Sequence, residues 1–345
     1  MVASEGVTPI RHHTQGADFF NEMYFLRRGD PNQKAGVATQ GFLQVLMTTP
    51  EKEKHWQESP PQGWRTSYRR KALAGWITDT QRGAGHLLAR VIVNRLWHHH
   101  LGRGIVATPS DFGVQGERPS HPELLDWLAG ELIRGGWRLK PLHKQIMMSA
   151  VYRQGGQFDE AKFKADPENK LCWRYAPRRL EAEVIRDSLL AVTGTLDRRM
   201  FGEGTLDQGM TRRSIYFTIK RSQLIPMLQL FDVPEPNVSV GRRPSTTIAP
   251  QALVFLNNPH VRGWSRSFAR RLLPAAERSW SEAATQAYEM ALGRRPTNGE
   301  SADGAAFLEQ QMATYQAKKR PEARELALAD FCQVLMSLNE FVYVD

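Results

Sequence analysis

Thiols are scarce: Cys172 and Cys332 are the only cysteines in 345 residues. That scarcity excludes a disulfide scaffold, and a gap this long excludes a zinc knuckle. No Cys-x-x-Cys-His occurs, which excludes the usual covalent attachment of a c-type haem. Cys332 lies in the apolar run LADFCQVLM and reads as a small buried hydrophobe, while pairing of the two thiols stays open. Long apolar runs are missing too, so no helix is expected to cross a membrane. The opening MVASEGVTPIRHHTQGADFF lacks the basic-then-apolar order of a signal peptide. The sequence therefore predicts a soluble chain that stays where it is made, unless an upstream part is missing. No Gly-x-Ser-x-Gly elbow, His-Glu-x-x-His or phosphate-loop ending is present, so none of these motifs names an activity. No nucleic-acid module or aromatic-basic platform is recognisable, and a nucleic-acid partner is not expected.

What is abundant is helix signal and arginine. Lys and Arg number 46 against 36 Asp and Glu, for a net charge of +10. Such a balance permits attraction to polyanions. The arginines are scattered in pairs, however, among them Arg178-Arg179, Arg212-Arg213 and Arg242-Arg243, and this favours a solvated basic surface. Leu87 to Leu101 is apolar on nearly every face, reads as a buried helix and should stop at Gly102. Ser120-His-Pro-Glu123 has capping-box spacing and opens a helix whose inward stripe is Leu124, Leu125, Leu128, Leu132 and Ile133. Further helices are expected from Pro141 to about Tyr152, from Arg179 to Val192, and from Pro321 to Leu338. Two more should follow the capping-box patterns Ser279–Glu282 and Thr297–Glu300. RRSIYFTIKRS alternates Ile215, Phe217 and Ile219 with Tyr216 and Thr218, and predicts a half-buried strand. The fold expected is mainly α: a multi-helix bundle with one short strand or hairpin and long ordered loops. Residues 1–60 read as an N-terminal extension, joined near Ser59–Gly63 to a helical domain over 61–345.

Three segments could carry chemistry. His98, His99 and His100 end the first helix, but neighbours about 100° apart cannot converge on one ion. No metal or other cofactor is expected there, and the imidazoles read as packing and helix-end groups. Thr108–Glu123 supplies Asp111, Glu117, His121 and Glu123 in a loop entering a helix, with Asp111 and His121 as catalytic candidates. The third is the strand and long loop VPEPNVSVGRRPSTT. Here Arg213, Lys220, Arg221, Arg243, Ser245, Thr246 and Gln251 could bind a sulfate, phosphate or uronate, with Asp232 as a third acid–base candidate. The competing reading is a buried polar network in which arginines tie irregular chain down.

The long blocks RVIVNRLWHHHLGRGIVATPSDFGVQGERPSHPELLDWLAGELIRGGWRLKPLHKQIMMSAVYRQ, RRLEAEVIRDSLLAVTG and FDVPEPNVSVGRRPSTTIAPQALVFLNNP resemble the planctomycete cytochrome-c-associated domain of unknown function number 1553. The likeness covers about residues 20–345. It implies a C-terminal domain of exported envelope proteins that follows a cytochrome-c-like domain and a second uncharacterised domain. Breakdown of complex polysaccharides or extracellular redox chemistry is the role suggested by that context. The expectation is therefore a helical accessory or docking module of a cytochrome-c-linked system. The alternative is a hydrolase or lyase acting on a sulfated or uronic polysaccharide. The two readings separate on structure: an enzyme needs a cleft with two carboxylates, and a docking module an exposed apolar patch, with Trp56, Trp64 and Trp76 as candidates.

Overall fold

The computed structural model describes residues 24–62, 68–237 and 239–344. Trp64 and the first 23 residues lie outside that set. The chain divides into two compact units, one ending at Ser149 and one beginning at Ala150. Mainly α is the architecture: helices carry the chain, and the described residues hold two small antiparallel strand pairs.

The first unit opens with a hairpin of β1 (Tyr24–Leu26) and β2 (Lys34–Val37), followed by α1 (Arg69–Thr78), α2 (Gly85–Leu101), α3 (Pro122–Arg134) and α4 (Leu139–Met148). Phe42 stacks on Trp76 at 5.4 Å and meets Trp56 edge-on, so two of the three tryptophans named for docking belong to a core. α2 buries Ala89, Val93, Asn94 and Trp97 and packs against α3, which buries Leu125, Leu128, Ala129 and Leu132. Gly102 ends α2 at φ 81°, the left-handed turn that glycine adopts without strain. The helix expected through Tyr152 breaks at Ser149, whose ψ of 153° is extended.

The second unit contains α5 (Ala150–Arg153), α6 (Glu160–Ala165), β3 (Arg178–Arg179), α7 (Ala182–Val192), α8 (Pro226–Leu230), α9 (Ala249–Asn257) and α10 (Pro259–Arg278). It closes with α11 (Trp280–Leu292), α12 (Asn298–Ala317), α13 (Ala323–Met336), α14 (Asn339–Val342) and β4 (Tyr343–Val344). α10 is the central rod: it packs along α13 and α11 and also meets α7 and α9. Phe268 and Leu272 of α10 share one buried cluster with Leu328, Cys332, Leu335 and Met336 of α13 and with Ile185 and Leu189 of α7. Arg178 pairs with Val344 and Arg179 with Tyr343, so β3 and β4 tie the chain end to the start of α7.

Two local readings are corrected. The segment read as a strand forms one turn of 3-10 helix at Ser214–Tyr216, with isolated bridges from Arg212 to Asp197, from Phe217 to Thr205 and from Lys220 to Gln223. Of its three alternating apolar residues Phe217 is buried while Ile215 and Ile219 are exposed, and Tyr216, expected outward, packs against the core. The backbone here is held by a side chain instead of a ladder: the buried Arg186 guanidinium donates to the Met210 and Arg212 carbonyls and to Ser214 Oγ. The second correction concerns Ser120, which does not cap α3. Its amide and hydroxyl both bond to the Ile105 carbonyl, and His121, which caps no amide with its side chain, stands at the helix N-terminus.

Candidate functional site

In the first unit, the segment after α2 is irregular chain pinned by short polar side chains. Asn94 is fully buried on α2 and grips Val106 twice, accepting from its amide at 2.8 Å and donating to its carbonyl at 3.0 Å. Gly104 lies against this clamp, where an added Cβ would stand 2.5 Å from the Val106 carbonyl. Thr108 Oγ1 donates to the Asp111 carbonyl and accepts from the Glu117 amide. Asp111 Oδ1 accepts from Gly113 N at 2.8 Å, a turn made with its own backbone. His121 Nδ1 sits 3.0 Å from Ser120 Oγ.

His98, His99 and His100 do not converge. His100 Nε2 meets His143 Nδ1 of α4 at 2.8 Å, and the His98 and His99 rings touch edge-on. Among the described residues no group of three or more His, Cys, Asp or Glu is placed to hold a metal ion. Between α2, the loop and α3 lies a half-open cleft of about 320 Å³, with Val106, Phe112 and Leu125 as apolar walls. Glu117 and Asp126 stand at this cleft, and each is already paired, Glu117 with Arg103 at 3.3 Å and Asp126 with Arg90 at 2.7 Å.

In the second unit, the expected anion-binding residues disperse onto internal partners. Asp232 follows α8 with φ 63°, a left-handed conformation that costs a non-glycine residue strain. Its carboxylate accepts from the Thr246 amide and hydroxyl at 2.8 Å each, and from Arg179 Nη2 at 2.7 Å. Arg179 also donates to the Phe231 and Thr246 carbonyls, so one buried guanidinium holds both ends of the long loop. Burial pushes the Asp232 carboxyl up, but the bonds from Thr246 and Arg179 overrule it and leave the group below the ordinary carboxylate range.

Gln251 donates to the Leu230 carbonyl from the start of α9, and Arg243 bonds Glu183 at 2.6 Å and Glu181 at 3.2 Å. Arg213 lies 3.8 Å from Asp187, whose carboxylate accepts from the Ser214 amide and hydroxyl. Arg221 reaches Asn237 at 3.4 Å, while Lys220 and Ser245 are exposed. Asp232 and Thr246 are thus brought together, as a structural joint, while Arg213, Arg221 and Arg243 each have a different partner.

A family model described as "PSD1: Protein of unknown function (DUF1553)" matches residues 69–308. The chain belongs to the PSD1 family. No curated protein and no solved structure matches it. Both clusters fall inside the PSD1 match, whereas α13, the partner of the central rod α10, lies beyond it.

Asn94, Arg179, Glu181, Glu183 and Arg186 were not singled out by the sequence, although they hold the PSD1 irregular segments in place. A trace existed in RRLEAEVIRDS, where charges recur on a helix that also carries core residues. Charge on an otherwise inward-facing helix implies buried partners.

Proposed function

We propose that the chain is an accessory docking module and that α9 is its contact element. The observation that carries this reading is the outward face of α9. Leu253 is 50% exposed and Leu256 is 55% exposed, three residues apart on one side of the helix, with Ile248 exposed just before it. The opposite side is fixed. Phe255 is buried, and Gln333 Nε2 of α13 donates to the Phe255 and Leu256 carbonyls at 2.8 and 2.9 Å. A rigid helix offering leucines to solvent gives a partner an apolar surface that needs no further ordering. The family likeness points to a cytochrome-c-like domain and a second uncharacterised domain as partners, in a planctomycete envelope system.

Titrating the chain with the cytochrome-c-like domain of a family member tests this. Leu253→Asp with Leu256→Asp should weaken binding by about thirtyfold or more, the size of an interface hot spot, and leave the melting temperature unchanged. Tight binding that ignores both substitutions would reject α9 as the contact.

A second reading, a hydrolase or lyase acting on anionic polysaccharide, draws support from the Glu117–Asp126 cleft and its ligand-sized volume. It predicts turnover of a sulfated or uronic polysaccharide that Asp126→Asn abolishes. A screen of such polymers, run beside metal and haem analysis of the purified chain, decides it.

A further inference from the structure

A different surface of the second unit carries apolar and basic residues interleaved along the chain. Two irregular segments, 197–205 and 212–221, lie side by side: the Thr205 amide bonds the Tyr216 carbonyl at 3.1 Å, and the Thr218 amide bonds the Thr205 carbonyl at 2.8 Å. Arg212 lies 3.7 Å above the Tyr216 ring and donates to the Phe201 and Glu203 carbonyls, while the Tyr216 hydroxyl accepts from the Phe201 amide. On this fixed base Met200 is 68% and Phe201 78% exposed, and Ile215 and Ile219 are exposed as well. Phe201 has φ 65°, so an aromatic residue is held in a left-handed conformation with its ring in solvent. Local strain of this kind concentrates at working sites. The flanking side chains are basic: Arg198-Arg199 precede Met200, and Lys220-Arg221 follow Ile219. Six cations face three carboxylates over residues 197–221, Arg199 being paired with Asp197.

We infer that this loop pair seats on an anionic lipid bilayer, inserting Met200 and Phe201 among the lipids while Arg198, Lys220 and Arg221 meet the headgroups. The charge complementarity is specific to such a surface, negative at its plane and apolar just beneath. Exposed apolar side chains beside cations match a fluid apolar layer under charged headgroups, which takes them up without a preformed cavity. A nucleic acid would need several open aromatic faces for stacking, and this surface offers one, Phe201, since Arg212 already covers Tyr216. The inference uses no residue of α9 and stands apart from the docking reading.

Co-sedimentation of the full chain with phosphatidylcholine vesicles, with and without phosphatidylglycerol, tests it. The chain should pellet with the anionic vesicles, less so at high salt, and stay in solution with the neutral ones. Phe201→Gly removes the ring and relaxes the left-handed backbone, so it should fold at least as stably, yet partition about tenfold or more weakly. Arg198→Gln and Lys220→Gln should each weaken partitioning about fivefold. Three results would overturn the inference: no pelleting with anionic vesicles, undiminished pelleting of Phe201→Gly, or binding to soluble dextran sulfate that matches vesicle binding and ignores Phe201→Gly.

Discussion

Arg179 has its guanidinium almost wholly buried, and it joins Asp232, Phe231 and Thr246. Removing one member of a buried ion pair leaves the other charge uncompensated, which costs more than the pair contributes. Arg179→Met should therefore lower unfolding free energy in urea by about 3 kcal/mol and speed hydrogen exchange at the Thr246 amide. An unchanged urea midpoint would show that the pair is dispensable. Asp232 carries a pH signature. Its carboxyl is depressed in the fold from an ordinary 3.8, so its stabilising contribution is complete above that value and is lost as pH falls through the folded-state value. Acid titration followed by circular dichroism should show that limb flattened in Asp232→Asn. Asp232 and Thr246 were legible in the sequence as polar residues of one long loop. Arg179 was not, because it lies 53 residues from Asp232, and residue type alone does not name a distant partner.

At the scale of elements, what is local was read correctly and what depends on distant chain was not. Thr297 caps α12 by accepting from the Glu300 amide, and Glu300 accepts in return from the Thr297 amide, as the spacing predicted. Bonds from Arg294 and Thr297 hold the Glu300 carboxyl down at about 2. Thr297→Ala should cost about 1 kcal/mol in thermal or urea unfolding. Gly102→Ala should cost a similar ~1 kcal/mol, since φ 81° disfavours any side chain there. Ser120 has the same spacing to its Glu and does not cap, because α3 starts at Pro122 with His121 at the N-cap. The Ile105 carbonyl takes the Ser120 amide that a capping box would offer to Glu123. The Ile215–Ile219 alternation failed likewise: the 3-10 turn at Ser214–Tyr216 breaks the period of two, leaving Phe217 inward and Ile215 and Ile219 exposed. Here Arg186 supplies the carbonyls' partner, and burial pulls its guanidinium below its usual value while Asp187 and Asp207 act against that.

At the scale of the whole molecule, the described residues include one buried cluster around Phe42 and Trp76 in the first unit and another around α10 and α13 in the second. Residues 150–345 expressed alone should give helical circular dichroism and one cooperative melt; a molten profile would mean that the second core depends on the first. The net charge of +10 reads differently once the partners are known, since Arg179, Arg186 and Arg243 hold carbonyls and carboxylates inside one unit instead of presenting charge. Among the residues that looked most chemical in sequence, Asp232, Thr246, Gln251 and Arg243 bond neighbouring chain. On the docking reading proposed above the contact is α9, whose leucines are exposed on one side and whose other side Gln333 holds. Hydrogen exchange on the full chain, with and without the cytochrome-c-like domain of a family member, maps that contact directly. Slowed exchange centred on residues 248–257 is the expected result. Protection centred on the Glu117–Asp126 cleft, or none at saturating partner, would contradict it.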